Sequence, residues 1–119
     1  MHETSVCRDL LERVLEISAR EQADAVKSIT VQLGVLSGFD AEHVIESFEH
    51  VAAGTVAEGA RIEVELVELQ VHCPACDTDS AVTAERLDCP RCRHLETELI
   101  DGTELRLARV ELTLSGTLQ

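Results

Sequence analysis

The sequence predicts an α+β fold: a small mixed domain of two helices on a three-stranded sheet, with a cysteine-bearing module inserted into it. Three observations carry that prediction. Two segments repeat apolar residues at helical spacing. Three segments alternate apolar and polar residues as strands do. Two Cys-x-x-Cys pairs lie between the second and third of those strands.

Each element can be justified in order. Residues 4–20 read as an amphipathic helix, with Val6, Leu10, Val14 and Ile17 on one face, thickened by Cys7, Leu11 and Leu15. Thr4 or Ser5 can cap its start. SITVQLGVL, residues 28–36, puts Ile29, Val31, Leu33 and Val35 on one face of a strand. SGFD at 37–40 is a turn, and Asp40 serves as N-cap for a helix over 41–52 with Val44, Ile45, Phe48 and Val51 inward. Gly54 and Gly59 punctuate the return.

RIEVELVELQV, residues 61–71, reads as a second strand whose apolar phase changes from even (Ile62, Val64, Leu66) to odd (Val67, Leu69, Val71). TELRLARVELTL, 103–114, changes phase too, from Leu105 and Leu107 to Val110, Leu112 and Leu114. One residue of phase moves a side chain to the opposite face of a sheet. The matching shifts predict a long paired ribbon that serves two cores or carries a bulge. The expected division is 1–69 plus 99–119 for the α/β domain and 70–98 for the insert.

Bulk properties narrow the function. The 119 residues suit one domain carrying an insertion. No apolar run is long enough to span a bilayer, and no basic-then-apolar leader opens the chain, so a cytoplasmic protein without a membrane role is expected. A net charge of −13, with two Phe and no Trp or Tyr, argues against nucleic acid, which wants cations and stacking platforms. A metal cation, or a partner with a basic face, fits better. No nucleophile with a matched base and no phosphate loop is visible, so no enzymatic activity is expected.

The segment HCPACDTDSAVTAERLDCPRC places Cys73 and Cys76, then twelve residues, then Cys89 and Cys92. A Cys-x-x-Cys turn aims two sulfurs at one metal, and a second such turn completes a tetrahedron. Pro74 and Pro90 stiffen both turns. Val82 and Leu87 are the only large apolar residues between the pairs, so metal rather than a core must hold the segment. The insert is therefore zinc-ribbon-like, with Zn(II) structural because sulfur fills all four positions. Iron on the same four thiolates, a dithiol redox centre and two disulfides are the alternatives. His72 and His94 flank the turns as solvated groups or as donors to sulfur. Cys7, on the inward side of the first helix, reads as a buried inert thiol.

The opening MHE with Ser5 and a helix after it, the stretch LGVLSGFDAEHVIESFEHVAAGT, the two Cys-x-x-Cys pairs and the closing DGTELRL occur here in one order. Together they resemble the hydrogenase nickel-insertion accessory family, HypA/HybF, over essentially the full length. The resemblance implies a small metallochaperone that binds Ni(II) at its N-terminus. It implies delivery to the [NiFe]-hydrogenase large subunit with the GTPase HypB, and in some members service to urease. It also implies a mixed α/β nickel domain with an inserted zinc domain; a monomer or weak homodimer is expected.

Coordination chemistry supports such a site. The α-amine of Met1, the backbone nitrogen and imidazole of His2, and the backbone nitrogen of Glu3 can form fused chelate rings around one Ni(II), which accepts a square-planar nitrogen set. Asp40 is a further candidate by resemblance, alongside its N-cap role. His43 and His50 read as a solvated helix face, with His43 close enough to Asp40 to be recruited. Thr4 departs from the apolar residue many relatives carry there. A zinc-ribbon adaptor that binds only protein, with no nickel role, is the rival reading.

Overall fold

In chain order, the residues described by the computed structural model, 3–114, form α1 (Glu3–Arg20), β1 (Ala25–Gly34), α2 (Ala41–Ala52), β2 (Arg61–Val67), β3 (Leu69–Cys73), β4 (Thr78–Val82), β5 (Glu98–Asp101) and β6 (Leu105–Thr113). They make two three-stranded sheets, ordered β2-β1-β6 and β4-β3-β5. β1 is the centre of the first sheet, parallel to β2 and antiparallel to β6. A parallel pair needs a crossover, and α2 supplies it.

Both helices pack against the first sheet and against each other. Ile29, Val31 and Leu33 of β1 meet Leu10, Leu11 and Val14 of α1 and Val44 and Phe48 of α2 in one core, with Phe48 fully buried. Burying side chains of this size contributes about 1.5–3 kcal/mol each before conformational entropy is subtracted. The opposite face of the sheet is polar. Ser28 and Thr30 are buried there, with Ser28 Oγ donating to Glu111 (2.7 Å) and an Arg109–Glu65 ion pair at 3.6 Å.

The expected ribbon between 61–71 and 103–114 does not form, because β1 lies between those two segments. The single strand expected over 61–71 divides at Glu68, and its halves join different sheets. That division accounts for its change of phase. Ile62 and Val64 pack on the helical core, while Leu69 and Val71 are buried in the second sheet. The phase change in β6 has the other expected cause, a bulge: Thr30 pairs with Arg109 but Val31 with Leu107, leaving Ala108 as the extra residue. Lys27 is extra on β1 in the same way. Val35, expected to face inward, is half exposed, because β1 ends at Gly34.

The two sheets meet where β1 ends. A methyl group added at Gly34 would overlap the carbonyl of Gly102. One added at Gly102 would come within 2.8 Å of the Glu68 oxygen and of Leu69 Cα, and Gly102 also takes φ +97°, where a side chain is strained. Gly34 N–H donates to Glu104 (2.8 Å), Leu36 N–H to Gly102 (2.9 Å) and Val35 N–H to Val67 (3.1 Å), so the tip of β1 is bonded to both chain crossings.

Candidate metal centre

Cys73 ends β3, and Cys76 follows on the turn into β4, where Cys73 pairs with Thr78. Cys89 and Cys92 lie on a second turn of the same design. In each turn the residue after the second cysteine, Asp77 or Arg93, adopts a left-handed conformation (φ 56° and 66°). Each donates its N–H back to the first cysteine's carbonyl, at 2.7 and 2.8 Å. The two turns therefore present their sulfurs alike.

All four Sγ atoms lie within 4.8 Å of one another. Cys73 and Cys92 are 3.5 Å apart and Cys76 and Cys89 3.7 Å. A tetrahedron with metal–sulfur bonds of about 2.3 Å has edges of about 3.8 Å, so the donor set fits zinc in kind, number and spacing. Cys89 Sγ accepts from the N–H groups of Arg91 (3.4 Å) and Cys92 (3.5 Å), and Thr78 Oγ1 lies 3.0 Å from Cys76 Sγ. The Cys92 N–H above all, with that of Arg91, pulls the Cys89 thiol down to about 6. The backbone N–H of His94 favours the Cys92 thiolate, but Cys73, desolvation and the other two thiols outweigh it and push Cys92 up to about 12. One thiolate is thus prepared by the backbone, whereas a full set requires a cation. A divalent metal held by Cys73, Cys76, Cys89 and Cys92 would supply that charge and close the module.

The flanking imidazoles do not serve sulfur. His72 bonds through Nδ1 to Asp79 (2.7 Å), its partner across β3 and β4, and lies 3.4 Å from Asp77. Asp79, chiefly through that hydrogen bond, raises the His72 pKa. His94 is exposed, and its carbonyl accepts from Cys89 N–H. Asp88 is held below the usual carboxylate range by Arg86 first and more weakly by Arg93. The Thr78 and Asp79 contacts depend on strand register and have no signature in the spacing of the cysteines.

The second group of interest gathers at two helix starts. Glu3 is the first residue of α1, and Asp40 caps α2, its Oδ2 accepting from Glu42 N–H (3.1 Å) and His43 N–H (3.3 Å). His43 Nδ1 lies 3.8 Å from Glu3 Oε2 and 3.8 Å from Asp40 Oδ2, so three potential donors from two helices meet. His50 is exposed on the last turn of α2. Met1 and His2 lie outside the described residues. Cys7 is buried, with its sulfur 3.8 Å from the Val44 carbonyl.

The family model for hydrogenase/urease nickel incorporation, metallochaperone, hypA, matches residues 1–112. The hydrogenase maturation factor HypA of Nitrosospira multiformis is 36% identical over 112 residues, covering 94% of this chain and 97% of that protein. The factor of the same name from a Roseiflexus species is 38% identical, covering 93% and 91%. The solution structure of the nickel metallochaperone HypA from Helicobacter pylori shares the fold, with a TM-score of 0.74 over 97% of this chain and all of that one, at 23% identity. Two helices on a sheet, a four-sulfur module set between its strands, and a family match over residues 1–112 converge: the chain belongs to the HypA family, the non-enzymatic nickel metallochaperones of hydrogenase maturation.

Proposed function

We propose that Ni(II) is carried on the α-amine of Met1, the backbone nitrogen and imidazole of His2 and the backbone nitrogen of Glu3, with the Asp40 carboxylate approaching from α2. The observation that supports this reading is that Glu3 and Asp40 converge on one nitrogen of His43, so the start of α1 and the cap of α2 share one spot. The cargo goes to the [NiFe]-hydrogenase large subunit, with a GTPase of the HypB kind as co-worker, and urease is a second destination. A structural Zn(II) on Cys73, Cys76, Cys89 and Cys92 holds the module of residues 70–98, while 1–69 and 99–119 form the nickel-binding domain. The protein acts in the cytoplasm as a monomer or weak homodimer.

Calorimetric titration with Ni(II) tests the site, using the untagged protein, a version extended before Met1, and His2→Ala. The untagged protein should bind one nickel. Extension turns the amine into an amide, a much poorer donor, and His2→Ala removes the imidazole, so both should lose specific binding while keeping their zinc. Asp40→Ala should lose less affinity and about 1 kcal/mol of stability, the worth of an N-cap. Nickel binding should weaken as pH falls through about 6.5, since the imidazole must be neutral to ligate. Equal binding by all three N-terminal forms would remove the basis of the reading and leave the cysteine module as a protein-binding adaptor.

A further inference from the structure

Glu3, Asp40 and His43 bring side chains together from the starts of α1 and α2, but they differ in what else engages them. Asp40 Oδ2 is occupied as the cap of α2, accepting from the N–H groups of Glu42 (3.1 Å) and His43 (3.3 Å). His43 Nδ1 stands 3.8 Å from Glu3 Oε2 and 3.8 Å from Asp40 Oδ2, beyond hydrogen-bond range of both. Its side chain is 66% exposed. Ion pairs so loose and so exposed contribute little stability, so folding does not account for the placement of this imidazole. The other histidines among the described residues lie elsewhere. His50 is seven residues further along α2, which is about 10 Å of helix. His72 is bonded to Asp79 across the β3–β4 pair, and His94 follows the second cysteine turn.

We propose that the His43 imidazole is a further donor to the carried Ni(II), reaching it from α2 through Nδ1. The inference rests on the N-terminal nickel reading and adds a residue to it. The amine of Met1, the backbone nitrogens of His2 and Glu3 and the His2 imidazole fill four positions, and a tetragonal Ni(II) centre accepts another donor outside that plane. Imidazole suits Ni(II) better than carboxylate does. Two donors each about 2.1 Å from one ion stand about 3–4 Å apart. The 3.8 Å separations of Nδ1 from the two carboxylate oxygens are therefore those of groups that can share a cation. The carboxylates draw the cation in, and the imidazole supplies the stronger ligand atom. Asp40 also acts on His43 directly, because capping its N–H fixes the turn of α2 that carries the ring. A chelate built on the first three residues alone holds metal only at the chain end. A donor on α2 fastens the cargo to the folded domain.

The test loads zinc-containing protein with one equivalent of Ni(II) and compares wild type, His43→Ala, His50→Ala and His2→Ala. Calorimetry reads affinity. Proton NMR reads the ring donors, since each imidazole on paramagnetic Ni(II) gives its own hyperfine-shifted N–H signal. Wild type should show two such signals. His43→Ala should lose one of them and bind nickel about tenfold more weakly. His50→Ala, the same change on the same helix, should match wild type. Zinc content and thermal unfolding should be equal in all forms, because residue 43 is exposed. A single ring signal in wild type, or unchanged signals and affinity in His43→Ala, overturns the inference; if His2→Ala has meanwhile lost nickel, the N-terminal site stands without it. Weaker binding by His43→Ala with both ring signals kept would make His43 a positioning residue and overturn its assignment as a donor. Wild type that binds no nickel, or binding untouched in His2→Ala, would remove the N-terminal reading and this inference together.

Discussion

Cys7 illustrates how much one buried residue constrains. It sits between the helices with no solvent exposure, and burial first, then the nearby Glu3 carboxylate, push its pKa up to about 11. Native protein holds this proton more tightly than unfolded chain does. Its contribution to stability is therefore complete below the ordinary thiol value of 9.0 and fades as pH rises from there through about 11. Denaturant unfolding of wild type and Cys7→Ala across that interval should converge as the pH climbs. At neutral pH the variant should be weaker by about 1–2 kcal/mol for the lost packing. Native zinc-loaded protein should also leave Cys7 unlabelled by a thiol reagent at pH 8 until denaturant is added. Early labelling would contradict the packing described for α1 and α2.

At the scale of elements, helices were easier to read than strands. α2 runs over the expected 41–52 because Asp40 caps it and its apolar period is unbroken. The switch of sheets at Glu68 carries no glycine or proline, only the change of phase, so 61–71 reads as one strand. Alternation says which face a residue takes but not which strand lies beside it, and β1 intervened in the expected ribbon for that reason. The same limit applies at the sites. Cysteine spacing announces a metal centre, whereas the pairing of His72 with Asp79 needs the β3–β4 register, and the meeting of Glu3 with His43 needs the packing of two helices. Since the β4-β3-β5 sheet buries few large side chains beyond Leu69 and Val71, its order should depend on metal. Chelation of zinc or Cys89→Ala should release amide-exchange protection over residues 73–98 while that of α1, α2 and β1 persists. Acid should do likewise, because protons compete for the sulfurs: metal is kept at neutral pH and lost as pH falls. Simultaneous loss of protection in both sheets would show that they form one cooperative unit.

The molecule is long and thin, 57 × 33 × 17 Å, and its two sheets are joined at the tip of β1. That joint combines the backbone hydrogen bonds of Gly34, Val35 and Leu36 with the contact of Gly34 with Gly102, where no side chain fits. Gly34→Ala should cost about 2–4 kcal/mol if the joint holds closed against the added methyl. If the joint opens instead, the two sheets should tumble with separate correlation times in NMR relaxation. Wild-type stability together with a single tumbling time would mean that the contact is not tight.

The same contact has a consequence for rearranging the chain. Gly102 approaches Glu68 and Leu69, so the strand entering the cysteine module and the strand leaving it pass side by side. The module is thus a cassette with a narrow neck. Splicing Glu68 directly to Gly102 should delete it and leave β2, β1 and β6 in register, giving a miniature protein that folds without zinc. Failure of that miniature to fold, with or without metal, would mean the cassette serves as a scaffold for the rest.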